Sequence, residues 1–216
     1  MTPVQIDLVS DIACPWCAIG YARLQQALAQ LPDVAVNLTW RAFELNPDPH
    51  LVPEPILPAL CKKYGVSEQQ MRANQQQLMH IASDLGLDFS GMEQRLTCNT
   101  FDAHRLLKWA ASVGKQTELK LALFQAYFGQ GVSVNQPEVL LACVAQVGLP
   151  TADAQRVLES TDFAEQVRSE QAHYQQAGIH SVPAFVINQR YLISGAQDAA
   201  TLAQALRQIA DEASPS

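Results

Sequence analysis

What the chain has little of narrows its reading first. No apolar run approaches the roughly 18 residues that a membrane-crossing helix needs, so no transmembrane helix is expected. Basic residues are outnumbered: 14 Lys and Arg against 21 Asp and Glu leave a formal charge of −7, the wrong sign for a face that binds nucleic acid. Only 16% of residues are charged while 48% are hydrophobic, which excludes the composition of a disordered chain and supplies material for a core. The five cysteines are an odd count, unsuited to a disulfide framework and natural in a reducing compartment. Met1–Asp7 has neither a basic start nor an apolar core and runs directly into a strand pattern, so no secretory leader is expected and the expected location is the cytoplasm. No internal repeat or low-complexity tract is present.

One stretch carries chemistry: Asp11-Ile12-Ala13-Cys14-Pro15-Trp16-Cys17. Before it, Val4, Ile6 and Leu8 alternate with Gln5 and Asp7, the period of a half-buried strand. After it, Leu24, Leu28 and Leu31 recur at helical steps. The pattern predicts a helix whose N-cap is Cys14 and whose first residue is Pro15, where the fixed φ fits and the missing N–H costs nothing. Unpaired N–H groups and the positive dipole end at a helix start favour the thiolate, the reactive form of cysteine. Cys17, one turn on, shares that helix face and is placed to attack a mixed disulfide formed at Cys14. Trp16, at the tip of the loop, is expected to be exposed and to contact substrate. A zinc site would need four ligands, but Cys61, Cys98 and Cys143 are isolated and no His pair has ligand spacing, so no metal is expected. A purely structural disulfide does not suit a chain read as intracellular. The pair is read as redox-active.

Pro32-Asp33 ends the first helix, and Val34, Val36, Leu38 and Trp40 alternate in a second strand, completing a βαβ unit with a parallel pair. The prolines at 47, 49, 53, 55 and 58 exclude regular structure over Asn46–Pro58. A long run of helical patterns follows. Leu57, Leu60, Cys61 and Tyr64 form one stripe, and Ser67 with Gln70 reads as a capping box opening a helix through Met71, Leu78 and Ile81. Asn99 or Thr100 caps a helix bearing His104, Leu107 and Trp109; Leu119, Leu123 and Tyr127 mark the next, and Pro137 opens one with Leu140, Cys143 and Val144. Cys61 and Cys143 read as core residues, Cys98 as either an unreactive semi-buried thiol or a third redox thiol, His104 as a packed or capping residue, and Gln75-Gln76-Gln77 as a solvated face. Thr161 or Asp162 caps a helix through Val167 and Tyr174. Ala184–Ile187 reads as a buried strand that turns at Asn188-Gln189-Arg190 into Tyr191-Leu192-Ile193, an antiparallel hairpin, and Leu202, Leu206 and Ile209 define a closing helix. Ala213–Ser216 is expected to fray.

This order resembles the DsbA-like thioredoxin family, and within it the FrnE-like branch of dithiol-disulfide oxidoreductases. The resemblance is carried by Ser10-Asp11-Ile12-Ala13-Cys14-Pro15-Trp16-Cys17, Asn99-Thr100-Phe101-Asp102-Ala103-His104-Arg105-Leu106, Ser181-Val182-Pro183-Ala184-Phe185-Val186-Ile187 and Ser194-Gly195-Ala196-Gln197. It implies an α/β thioredoxin fold with a large all-helical insertion: a discontinuous domain over 1–53 and 156–212, interrupted by a helical domain over 54–155. It implies thiol-disulfide exchange or isomerisation, with Cys14 as nucleophile, Cys17 resolving, and a cis Val182–Pro183 bond facing the pair so that the Val182 backbone can meet an extended peptide or glutathione. DsbA itself has a histidine between its cysteines that stabilises the thiolate, where this chain has Pro-Trp. Its disulfide is therefore expected to be less oxidising, and a cytoplasmic reductant or isomerase is the expected role. Kappa-class glutathione transferases and hydroxychromene-carboxylate isomerases also resemble the chain around Asp11 and Asn99-Thr100, but carry serine where Cys14 stands. By that likeness Asp11, Val182, Asn99 and Thr100 bind substrate or glutathione, and the alternative activity is a glutathione-dependent transferase or isomerase. No tightly bound cofactor is implied. The implied partners are disulfide- or thiol-containing proteins or small molecules, with glutathione or a thioredoxin-type system as reductant.

Overall fold

The computed structural model describes residues 3–212, so the expected fraying of 213–216 lies outside the described part. The chain divides into two compact units, one ending at Phe43 and resuming at Glu170, the other running Glu44–Ser169.

The first unit is built on a four-stranded sheet of order β2-β1-β3-β4. β1 (Val4–Ser10) and β2 (Val36–Ala42) are parallel, in register from Val4↔Val36 to Ser10↔Ala42. The connection between them is α1 (Pro15–Ala29), as the period switch from two to helical steps predicts. β3 (Ala184–Ile187) runs antiparallel to β1, pairing Val9 with Ala184 and Leu8 with Phe185, and β4 (Tyr191–Ser194) closes the expected hairpin. This antiparallel register positions the site. The loop that leaves β1 toward Cys14 and the segment that enters β3 from Pro183 lie at the same end of the sheet.

α9 (Ala199–Glu212) packs on α1 and buries Leu202, Leu206 and Ile209. α8 (Ala164–Gln176) brings Glu170 and Tyr174 to the sheet's polar positions. Arg41 donates to Asp7 Oδ1 through Nε (2.8 Å) and to Glu170 Oε1 through Nη1 (3.0 Å), and Tyr174 Oη donates to Asp7 Oδ2 (3.1 Å). Burial, and then the neighbouring Asp7 carboxylate, push the Tyr174 phenol well above its usual range.

The Glu44–Ser169 unit is helical: α2 (Ile56–Tyr64), α3 (Glu68–Asp84), α4 (Phe101–Ser112), α5 (Gln116–Phe124) continued by a π-helical turn over Gln125–Gly129, α6 (Pro137–Gln146) and α7 (Thr151–Glu159). Its bounds lie outside the expected 54–155 on both sides. On one side Asn99 ties down the 44–48 loop and Glu54 N donates to Thr97 Oγ1 (3.0 Å). On the other, the buried Arg105 guanidinium donates to the carbonyls of Val157, Ser160 (2.5 Å) and Asp162 (2.9 Å).

Pro58 lies inside α2 rather than in the loop before it, because first-turn N–H groups have no helical partner to lose. Ser67 caps α3 by accepting from Gln70 N (3.2 Å), but the Gln70 side chain reaches forward to Asn74 instead of back to the cap. Gln75 is buried in the stripe with Met71, Leu78 and Ala82, so only Gln76 and Gln77 form a solvated face. Cys61 is half-buried, not core, since α2 leaves much of its stripe uncovered. The sequence reading passed over α7, whose buried residues are only Ala154 and Val157. Among the described residues no helix is long and apolar enough to cross a membrane.

Candidate active site

The loop from β1 to α1 is held by its own backbone. Cys14 N donates to Asp11 O (3.3 Å), Asp11 Oδ1 accepts from Ala13 N (3.3 Å), and Cys17 N closes the first turn on Cys14 O (3.1 Å). Cys14 occupies the N-cap in extended geometry (φ −95°, ψ 110°), with Pro15 opening the helix. α1 has no acidic residue in its first turn, and the Asp11 carboxylate lies in the loop just before it. Both cysteines are free thiols, and their side chains lie 3.5 Å apart. Cys14 is 5% exposed and Cys17 fully buried, whereas Trp16 between them is 39% exposed. The helix start thus presents a wide aromatic surface beside a recessed sulfur.

The segment entering β3 meets that sulfur. The Val182–Pro183 bond is cis, and Cys14 Sγ donates to Val182 O across 3.6 Å. Pro183 is buried, Val182 half-buried. Behind it the turn after β4 contributes Gly195 N, which donates to Pro183 O (2.8 Å). Sequence reasoning passed over Gly20 and Arg23 of α1, which touch this turn and Pro183. A helical glycine is the one local signal that was available, since it weakens a helix unless packing requires it.

Of the expected site residues, Asp11, Cys14, Trp16, Cys17, Val182 and Pro183 stand in the sheet-containing unit. Asn99 and Thr100 belong to the helical unit. Thr100 is the buried N-cap of α4. The Asn99 amide donates to Glu44 Oε2 (2.7 Å) and Asn46 O (2.9 Å), and its oxygen accepts from Phe101 N (2.9 Å). These bonds join the start of α4 to the loop that follows Phe43. Cys98 and His104 are buried. Cys143 Sγ donates to Ala122 O (3.8 Å), and burial pushes its thiol up to about 11. Among the described residues no group of three or more His, Cys, Asp or Glu could hold a metal ion.

Comparison with known proteins follows the same lines. A family model described as a DSBA-like thioredoxin domain matches residues 5–207. A probable DsbA oxidoreductase from Streptomyces coelicolor is 35% identical, with a TM-score of 0.91 over 99% of this chain and 92% of its own. An uncharacterized protein of Bacillus subtilis, YwbO, is 29% identical over 185 residues, 85% of this chain and 86% of that protein. The fold is shared, at 14% identity and a TM-score of 0.63, with a cytosolic disulfide reductase, DsbM, from Pseudomonas aeruginosa with GSH, over 96% of this chain and 98% of the other.

Proposed function

The chain belongs to the DsbA-like thioredoxin domain family, and from that premise we propose that it is a thiol-disulfide oxidoreductase working through Cys14 and Cys17. The observation that carries this reading is the approach of the two cysteine side chains to 3.5 Å across the first turn of α1. In the reductive direction the Cys14 thiolate attacks one sulfur of a substrate disulfide. A Cys14–substrate disulfide forms and the other substrate sulfur leaves as a thiolate. The Cys17 sulfur then attacks Cys14 Sγ, releasing the second substrate thiol and leaving a Cys14–Cys17 disulfide that has accepted no atoms, only the substrate's oxidising equivalents. Two electrons and two protons, from one external dithiol or from two molecules of a monothiol such as glutathione, restore the dithiol and leave the reductant as a disulfide. The oxidised enzyme acting on a dithiol runs the same steps backward, and attack followed by return to a different substrate sulfur is isomerisation.

Each neighbouring residue has a part in this scheme. Asp11 holds the loop that presents Cys14. Pro183 shapes the groove, and the Val182 backbone receives an extended substrate beside the sulfur. Trp16 supplies an apolar surface to the substrate's flank. A cytoplasmic reductant or isomerase is the role we favour, with glutathione or a thioredoxin-type system supplying electrons. The likeness to a cytosolic disulfide reductase with GSH supports both parts of that assignment.

Two cysteine variants test the mechanism. Cys14→Ser loses reduction of insulin disulfides, while Cys17→Ser accumulates mixed disulfides visible on non-reducing gels. Full activity in Cys14→Ser overturns the assignment of the nucleophile. The glutathione-dependent transferase reading makes a different forecast, because conjugation to an electrophile needs no second thiol. It predicts that Cys17→Ala retains turnover of an electrophile and that insulin reduction by the wild type is absent.

A further inference from the structure

We infer that Gly20 and Arg23 are positioning residues that set the Val182–Pro183 segment against the Cys14 sulfur; the inference rests on the disulfide-exchange reading above. Gly20 is in the interior of α1, where glycine costs about 1 kcal/mol relative to alanine. It is absent from the glycines of left-handed φ, so backbone conformation does not require it. Space does. A Cβ at Gly20 would stand 3.1 Å from Pro183 Cγ, 3.4 Å from Phe185 Cζ and 3.5 Å from Ala196 Cβ. The helix therefore approaches the β3 entry so closely that an added Cβ would press on the Pro183 ring.

Arg23, three residues further along the same helix face, supplies the second hold. Its Nη1 donates to Ala196 O (2.6 Å), a charge-assisted bond from α1 to the turn after β4. That turn is internally braced, Gln197 N donating to Gly195 O (3.0 Å) and Gln197 Nε2 to Ser194 O (2.8 Å). Gly195, at φ 78°, then donates its N–H to Pro183 O (2.8 Å). The route runs from the Arg23 guanidinium through Ala196 and Gly195 to Pro183, one residue from the Val182 carbonyl that stands 3.6 Å from Cys14 Sγ. Cys14 begins the helix on which Gly20 and Arg23 stand. The attacking sulfur and the backbone that aligns its substrate are thereby mounted on one element, and a shift of a few tenths of an ångström at Gly20 or Ala196 changes their spacing.

The test compares full-length wild type with Arg23→Ala, Arg23→Lys and Gly20→Ala. Three quantities are read: kcat and KM for reduction of a disulfide-linked peptide pair, the rate of Cys14 alkylation by iodoacetamide followed by peptide mass, and Tm. Iodoacetamide is small and needs no Val182 backbone. In Arg23→Ala, KM for the peptide rises about ten- to hundredfold, the worth of one charge-assisted hydrogen bond, while Cys14 alkylation stays within about twofold. Arg23→Lys recovers most of the lost affinity. Gly20→Ala moves KM in the same direction; if that variant does not fold, the two Arg23 variants decide. The inference is overturned if Arg23→Ala keeps the wild-type KM, if Arg23→Lys does no better than Arg23→Ala, or if KM and alkylation change together with Tm, which is the signature of general loosening. A wild type that reduces no peptide disulfide overturns the reading on which the inference rests, before any variant is compared.

Discussion

Cys143 and Cys14 are both buried thiols, and their surroundings separate them. Cys143 is buried on α6 with its sulfur against the Ala122 carbonyl, and burial pushes its ionisation up to about 11 from 9.0. Native protein at about pH 8 is therefore expected to leave Cys143 unmodified by iodoacetamide, with modification following only on unfolding in urea, as peptide mapping would read. The unfolded thiol ionises first, so the stability contributed by this neutral thiol is full below about pH 9 and is lost as pH rises toward about 11. Cys14 and Cys17 were legible as a pair because everything that makes them one is local: spacing, the preceding strand and the proline at the helix start. Asn99 was not legible in the same way. Its amide partners are Glu44 and Asn46, far back in the chain, and no local pattern announces them.

At the scale of elements, α9 is fixed to the loop between α1 and β2 by a two-pronged ion pair, Arg207 Nη1 and Nη2 donating to Asp33 Oδ2 (2.6 Å) and Oδ1 (2.7 Å). The Arg207 hydrogen bonds hold the Asp33 carboxyl down to about 2 from 3.8. A depressed carboxyl contributes stability above its unfolded value and loses it as pH falls through the folded one. The urea midpoint of the wild type is accordingly expected to fall more steeply from about pH 4 to about pH 2 than that of Asp33→Asn, which has no carboxyl to titrate there. Both groups are at the surface, and added salt is expected to narrow the difference. The strands, α1 and α9 were readable from periodicity because each buries a regular stripe. α7 was not, since a short helix whose buried residues are Ala154 and Val157 has almost no stripe to read. Its C-terminal end is held instead by Arg105 from α4.

Across the whole molecule, Arg105 is the residue whose loss is expected to reach furthest within the Glu44–Ser169 unit. The residue is 4% exposed, and its guanidinium bonds Asp102 Oδ1 (2.7 Å) as well as the carbonyls of Val157, Ser160 and Asp162. Arg105→Ala removes these donors and is expected to cost about 3 kcal/mol, several unpaired buried acceptors outweighing what solvent can recover. Hydrogen exchange checks the location as well as the size of the effect: amides of α4 and α7 lose protection, while β1 and β3 retain theirs. Loss of protection spread equally over the sheet would contradict this division. The expected insertion bounds, 54–155, fell short because they followed the helical periodicity. The compact unit also includes irregular chain held by Asn99 on one side and Arg105 on the other.

The amino-acid sequence by itself determined the order of strands and helices, the thiol pair at a helix start and the proline before the third strand. Each of these depends on residues within a turn or two of one another. Tertiary structure alone decided that the third strand runs antiparallel beside the first, bringing Val182 O to 3.6 Å from the Cys14 sulfur, and that Gly20, Arg23 and Gly195 converge behind Pro183. Except for the bond from Gly195 to Pro183, those contacts join segments more than 160 residues apart in the chain. They arise from strand register and close packing, which no stretch of sequence specifies on its own.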